Sequence, residues 1–294
     1  MIKKAFSVFL VGGCIPASFL LVGLISVLML NGGVGAQSYP KRIVSLAPTI
    51  TEKIYLLGAE DRLIADTIYC VVPPEAKQKE KIGTVIQANI EKIISLKPDL
   101  VLVSSLSRPR QLRKLENLGI PVVRFNYPKS FSEICQQFLR LGEIIGERNK
   151  AERIIYNTKR QVGEISEKTK RLPKKKMFIQ LGIKPLFTVT KDSFLNDYIE
   201  FCGGANIALD EKSGVYSREK VLAWNPDVII ITTMGMAGEK EREAWMKYRS
   251  IAAVRNNSIH IVDPDKVCSP TPVTFVEALK EIVEIVHPGI LSTK

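Results

Sequence analysis

Short, nearly unbroken apolar runs alternate along this chain with stretches whose apolar residues recur every third or fourth position. The runs are Arg42–Ala47, Leu100–Val103, Val122–Phe125, Lys176–Leu181, Val228–Ile231 and Ile259–Val262. A strand apolar at successive positions is covered on both faces, which predicts buried parallel strands. Arg62–Thr67 and Phe187–Val189 add two shorter strands. The stretches between them predict helices: one capped by Thr49 or Thr51 and ending at Gly58, one from about Arg110 to Leu118, and one from Asp192 or Ser193 to Cys202. Further helical segments fall near Glu241–Met246, Arg249–Val254 and Thr274–Val286. Prolines in the loop Ile68–Pro74 argue against regular structure there, and Asp263–Pro272 reads as a loop. Strands alternating with helices imply an α/β fold with crossovers above and below each sheet.

One pattern occurs twice. Residues 91–103 read EKIISLKPDLVLV and residues 219–231 read EKVLAWNPDVIII, 128 positions apart. Each predicts a short helix, a break at proline and a buried strand. Asn89 and Ser217 stand where helix caps belong, so Glu91 and Glu219 both fall in a first turn. Agreement in register predicts two related α/β lobes, 37–129 and 173–294, each the size of a small domain. Between them, 130–172 is helical, with Ile134, Phe138, Leu141, Ile144 and Ile145 as its stripe and Gly142, Gly146 and Asn149 as candidate breaks. Without a Gly/Ser-rich linker, this segment should act as a stiff spine.

Composition changes the picture at the amino terminus. Lys3 and Lys4 precede an apolar run, Ala5–Leu30, and Val34-Gly35-Ala36 offers a cleavage point, so 1–36 reads as a signal peptide. The run is long enough to span a bilayer, which makes an uncleaved anchor the alternative. Val11-Gly12-Gly13-Cys14 resembles a lipoprotein processing site faintly, but cutting there would leave a second apolar run on the product. Either way the chain is exported, to a periplasmic or extracytoplasmic location. The net charge of +12 concentrates in segments such as Lys168–Lys176, and only 7% of residues are aromatic, which argues against a nucleic-acid surface. Cys70, Cys135, Cys202 and Cys268 lie outside the leader; export permits disulfides, their spacing selects no pairing, and no CxxC occurs.

The familiar motifs of nucleophilic, phosphate-binding and dinucleotide-binding enzymes do not occur. The two histidines, His260 and His287, are too few and too far apart to grip a bare transition-metal ion. Ligands of open α/β sheets bind beyond the carboxyl ends of the strands. Those ends are Ala47-Pro48-Thr49, Thr67-Ile68-Tyr69, Ser104-Ser105, Gly182–Phe187, Thr232-Thr233-Met234 and Asp265–Ser269, with Thr232–Gly238 as a mobile or ligand-facing loop. Small, hydroxylated and aromatic groups suit a large, mostly neutral ligand. Cys70 and Cys268 fall in cleft-side loops of opposite lobes, where they would form an interlobe disulfide or offer a soft ligand to a bound metal.

Arg42–Glu52 (RIVSLAPTITE) with Leu57-Gly58-Ala59 resembles the opening of periplasmic binding proteins for cobalamin and iron–siderophores, the helical-backbone class of substrate-binding proteins of ABC importers. Further similarity follows at Pro73–Ala76, Lys97–Val101 and Leu118–Val122. Phe178–Thr188, Cys202–Ile207 and Ser217-Arg218-Glu219 are most similar to the cobalamin-binding members. The resemblance covers about 41–287. It implies two α/β lobes joined by one long rigid helix, a ligand cleft between them, a monomer and no chemistry on the ligand. It also implies that Glu91 and Glu219 dock onto arginines of the inner-membrane permease.

The same resemblance makes Tyr69 a cleft aromatic and places Val85, Ser104 and about Ser213 where cobalamin-binding members carry tryptophans. The late loop, Lys266–Pro272, lacks the arginine of many family members, and a cleft without it is poorly equipped for a ferric catecholate. Cys202 matches a half-cystine whose partner position here is Lys280. The implied ligand set is Pro48, Tyr69, Val85, Ser104, Ser105, Phe187, Thr233 and Ser269. The implied ligand is a cobalt corrinoid, then a ferric siderophore or haem, with no cofactor or metal of the protein's own. From other classes, an exported chelate-processing enzyme predicts an acid/base pair in the cleft, and a membrane-anchored sensor predicts retention of 1–36.

Overall fold

The computed structural model of the protein describes residues 38–233 and 237–292. The leader assigned to 1–36 and residues 234–236 of the ligand-facing loop lie outside them. Among the described residues, no helix is long and apolar enough to cross a membrane.

The first lobe runs β1 (Ile43–Ser45), α1 (Pro48–Leu56), β2 (Leu63–Asp66), β3 (Glu80–Lys81), α2 (Ile90–Ser95), β4 (Leu100–Ser104), α3 (Pro109–Asn117) and β5 (Val122–Phe125). Its strands are all parallel, in the order β3-β2-β1-β4-β5. Two helices follow, α4 (Phe131–Ile145) and α5 (Arg148–Thr169). The second lobe runs β6 (Lys176–Ile183), β7 (Leu186–Thr188), α6 (Phe194–Phe201), β8 (Ala205–Asn206), α7 (Arg218–Trp224), β9 (Val228–Ile231), α8 (Ala237–Met246), α9 (Ala252–Arg255), β10 (Ile259–Ile261), α10 (Pro264–Cys268) and α11 (Pro272–Val286). Its sheet is ordered β10-β9-β6-β7, with β8 also on β6 and only β7 antiparallel.

The apolar runs of β1, β4, β6 and β9 are covered on both faces, and the alternation divides them cleanly; β5 and β10, at sheet edges, are only partly covered, with Ile261 exposed. In the first lobe Ile43, Leu100 and Leu102 enter one core with Ile54 and Leu57 of α1, while Val44, Val101 and Val103 enter another with Ile93, Leu112 and Leu115. In the second, Met177, Ile179, Val228 and Ile230 face α11, and Phe178, Ile229 and Ile231 face Trp245 and Val221.

The duplicated stretch repeats its chemistry as well as its shape. Asp99 accepts hydrogen bonds from the backbone N–H of Lys41 and Arg42 at the start of β1, and Asp227 accepts one from Lys176 at the start of β6. The side chain of Arg42 donates to the Leu96 carbonyl at the end of α2; Lys176 Nζ donates to the equivalent Trp224 carbonyl at the end of α7. Lys97 and Asn225 both turn the chain at positive φ, 48° and 51°. Each Pro-Asp therefore ties a helix end to the neighbouring strand.

The helical segment between the lobes breaks at Gly146, which takes a left-handed φ of 77° beneath the Tyr39 ring. Gly142 stays inside α4, where a Cβ would lie 2.7 Å from that of Ala151 on α5. The halves pack against each other, and each spans both lobes. Phe131, Ile134 and Cys135 of α4 belong to the second lobe's core, and Phe138, Leu141 and Ile145 to the first's. On α5, Ala151 sits in the first core and Val162 and Ile165 in the second.

Two local expectations are corrected. Neither Thr49 nor Thr51 caps α1, because Pro48 takes its first position and Ala47 is the cap. The loop Asp263–Pro272 contains α10, capped by the Asp263 side chain. The loop from Ile68 holds no helix or strand to Pro73, and a short 3-10 turn, Pro74–Gln78, begins at its last residue, where a missing N–H costs nothing.

Candidate interlobe binding site

Parallel strands bring the carboxyl ends of β1 to β5 to one edge of the first sheet, and those of β6, β9 and β10 to one edge of the second. Residues beyond both edges line a cavity of about 160 Å³. Ala47-Pro48-Thr49 follow β1, Val85 follows β3, Ser104 ends β4 with Ser105 next, and Asn126-Tyr127-Pro128 follow β5. The second lobe contributes Phe194 and Cys268-Ser269-Pro270.

The lobes meet directly around this cavity. Tyr127 Oη donates to the Cys268 carbonyl at 3.4 Å, and its ring lies 5.4 Å from that of Phe194. The Phe131 N–H donates to Asp197, and Thr271 Oγ1, at the N-cap of α11, donates to Glu52 Oε1 of α1 at 3.4 Å. Burial pushes the Tyr127 hydroxyl up to about 12 and raises the Cys268 thiol, so both are protonated, neutral groups at physiological pH.

Of the residues expected from the sequence to hold a ligand, Pro48, Val85, Ser104, Ser105 and Ser269 line the cavity together. Tyr69 and Phe187 lie outside it, exposed in the loop after β2 and on β7, respectively. Thr233 is buried, its hydroxyl sealed without a partner among the described residues. Several cavity residues are not expected from the sequence, Tyr127 and Lys53 among them. Tyr127 could have been found, because it follows a strand whose carboxyl end points the same way as the others. Lys53 carried a different signal: it stands between Ile50 and Leu57 on the helical stripe that α1 buries.

The cysteine expectation is corrected. Cys70 is wholly buried within the first lobe, where its Sγ accepts from the Thr51 hydroxyl at 3.2 Å and lies 3.2 Å from that of Thr67. It does not reach the cavity that Cys268 lines, so neither the interlobe disulfide nor a joint metal grip forms; among the described residues, Cys70, Cys135, Cys202 and Cys268 are free thiols. Cys202 packs against Met177, and Lys280, at the implied partner position, donates to Gln161. The histidines stand elsewhere: His260 is on β10, and His287 Nε2 lies 3.1 Å from the Cys202 carbonyl. Burial lowers both. Among the described residues, no group of His, Cys, Asp and Glu could hold a metal ion.

Glu91 and Glu219 occupy equivalent exposed places in the first turns of α2 and α7, capped by Asn89 and Ser217. The Glu91 carboxylate is lowered, first by its ion pair with Lys114 on α3 and then by its own N–H. Glu219 is lowered by its own N–H and by the Ser217 hydroxyl. Both stay ionised. Behind Glu219, Arg218 lies 4.4 Å over the Trp245 ring and pairs with Glu241 of α8, which also accepts from Gln180 of β6.

Comparison with known proteins places these features in a family. A model described as "Periplasmic binding protein" matches residues 43–266. An "Uncharacterized ABC transporter substrate-binding lipoprotein YvrC" of Bacillus subtilis is 35% identical over 268 residues, 88% of this chain and 83% of that one. A vitamin B12-binding protein of Pectobacterium atrosepticum is 34% identical over 204 residues, 67% of this chain and 73% of its own. Among solved structures, the vitamin B12-binding protein of Vibrio cholerae aligns with a TM-score of 0.71 at 28% identity, covering 84% of this chain and 96% of that one. A possible iron-binding protein of Staphylococcus epidermidis aligns at 0.76 and 28%, covering 85% and 100%.

Proposed function

Because this chain belongs to the periplasmic binding protein family, we propose that it captures a cobalt corrinoid between its lobes and delivers it to the permease of an ABC importer. It is a substrate-binding protein of an ABC transporter, a kind of protein that works with a membrane permease outside the cytoplasm. The observation that carries the corrinoid reading is the similarity to vitamin B12-binding proteins across both lobes, at 34% identity over 204 residues in one relative. The cavity wall agrees in kind. Its apolar surface and scattered hydroxyl and amide groups suit a ligand held by packing and a few hydrogen bonds.

A second reading, an iron chelate such as haem or a ferric siderophore, draws on the similarity to the possible iron-binding protein of Staphylococcus epidermidis. Either ligand is bound and released unchanged, with Glu91 and Glu219 as the paired contacts for the permease. Tethering through residues 1–36 would keep the protein at the membrane surface.

Titrating the purified chain from Gln37 onward with cobalamin, cobinamide, haem and ferric siderophores tests this reading. The expected result is one corrinoid bound per chain and recovered chemically intact. Tight binding of haem or a siderophore with none of either corrinoid would replace the corrinoid reading with the second. A ligand returned altered would point to the processing enzyme.

A further inference from the structure

The cavity between the lobes holds one feature that a neutral ligand does not explain. Helix α1 buries the stripe Ile50, Lys53, Ile54 and Leu57, and Lys53 is only 5% exposed. A lysine on such a stripe is costly: the effective penalty for burying an ion is several kcal/mol unless a partner compensates it. Lys53 has no such partner. It forms no hydrogen bond or ion pair with any described residue, and only Glu52 and the Cys135 thiol act on it through space. Glu52 is a poor counter-ion. Burial pushes its carboxyl up to about 7, and it accepts instead from the Thr271 hydroxyl.

Lys53 lines the interlobe cavity and carries the sole formal charge among the described residues that line it. Burial pulls the amine down to about 8, so at neutral pH it is still mostly protonated. Nearby capacity is also unused. Ser104 Oγ accepts from the Leu106 N–H, which leaves its own proton free to donate, and Gln137 uses one of its two amide N–H groups on the Asn126 carbonyl, which leaves the other. The cavity's size limits what can enter. At about 160 Å³ it is smaller than the roughly 300–1,000 Å³ that encloses a drug-sized ligand. A macrocycle is too large for this cavity, which admits only an arm of such a ligand.

We propose that Lys53 is an anion receptor in the wall of this cavity, selecting metal chelates that insert a carboxylate or phosphodiester arm between the lobes. This rests on the reading of the protein as a chelate-binding importer component and adds the chemistry by which it chooses. No described side chain pairs with this buried cation, so a ligand anion can, which directs binding energy to one functional group. Packing against the apolar walls supplies affinity without that discrimination.

A corrinoid series tests it, because cobalamin carries a phosphodiester arm, cobyric acid a carboxylate and cobinamide neither. Affinities are measured for the wild type, Lys53→Met and Lys53→Gln, with haem as a fourth probe. Met keeps the volume and removes the charge; Gln keeps a donor. Both variants should lose at least about tenfold in affinity for the arm-bearing corrinoid that the wild type prefers, with less than about threefold change for cobinamide. Which of the two anionic corrinoids shows the loss identifies the arm. The empty Lys53→Met protein should also melt higher than the wild type, since a buried charge has been replaced by an apolar side chain. Equal losses for all three corrinoids, or none, overturn the proposal. If the wild type binds haem alone, the corrinoid reading fails while the tenfold loss is read on haem. If it binds none of the four, the chelate reading fails, and a lower melting temperature in Lys53→Met overturns the anion receptor as well.

Discussion

At the scale of single residues, Glu91 and Glu219 are set by local chemistry that the sequence already displays. A cap residue, an acid in the first turn and a Pro-Asp eight positions after the helix starts are short-range signals, and such signals need no knowledge of the fold. What could not be read is that Glu91 already has a cation. Its ion pair with Lys114 joins residues from different helices, so only the folded chain brings them together. Exposed ion pairs contribute little to stability, so under the proposed docking role a permease arginine can take the place of Lys114. Replacing both glutamates with alanine should abolish uptake of the ligand by cells while leaving the affinity of the purified protein within about twofold. Lys114→Ala, in contrast, should leave uptake intact or raise it. Normal uptake by the double variant would remove the docking role. Lys53 shows the opposite kind of legibility: its place on the buried stripe is visible in the sequence, but the cavity that explains it is not.

At the scale of elements, the helical segment between the lobes was legible as helix but not as a hairpin. Gly142, Gly146 and Asn149 looked interchangeable as breaks because each weakens a helix. Packing separates them: Gly146 supplies the left-handed turn, while Gly142 lets α4 and α5 approach closely enough that the Ala151 methyl fills the space a side chain would need. Gly142→Val should therefore destabilise the protein by about 1–3 kcal/mol, the usual cost of overpacking, read as a lower denaturant midpoint at unchanged slope. Gly163, on the same spine but with open space at its Cβ position, provides the control. Gly163→Ala should be neutral or stabilising by up to about 1 kcal/mol through helix propensity. A midpoint for Gly142→Val equal to the wild type would show that the two helices can separate freely. Short elements such as β3 and α10 escaped the sequence reading because a strand of Glu80-Lys81 has no apolar period to detect.

At the scale of the whole molecule, the duplication accounts for the lobes and the spine accounts for their relation. Binding proteins that close on a ligand do so about hinges, a few residues where the chain passes between domains with little packed around them. This chain offers no such place among the described residues. Both α4 and α5 put side chains into the cores of both lobes, and α11 packs on α5. Bending the lobes apart would have to pull Phe131 or Phe138, each at most 5% exposed, out of one core or the other. Close-packed interiors resist such displacement, and each buried aromatic is worth about 3–5 kcal/mol on removal. The contacts Tyr127–Cys268 and Thr271–Glu52 lie outside the spine and can yield at lower cost. Ligand entry should then involve the cleft loops and side chains near Tyr127, with the lobes keeping their angle. Small-angle scattering from the chain beginning at Gln37 should give superimposable curves with and without saturating ligand, while hydrogen exchange slows in the segments around Pro48, Tyr127 and Ser269. A resolvable drop in radius of gyration on binding would mean that the paired helices flex as a hinge, and that their shared cores do not hold the lobes at a fixed angle.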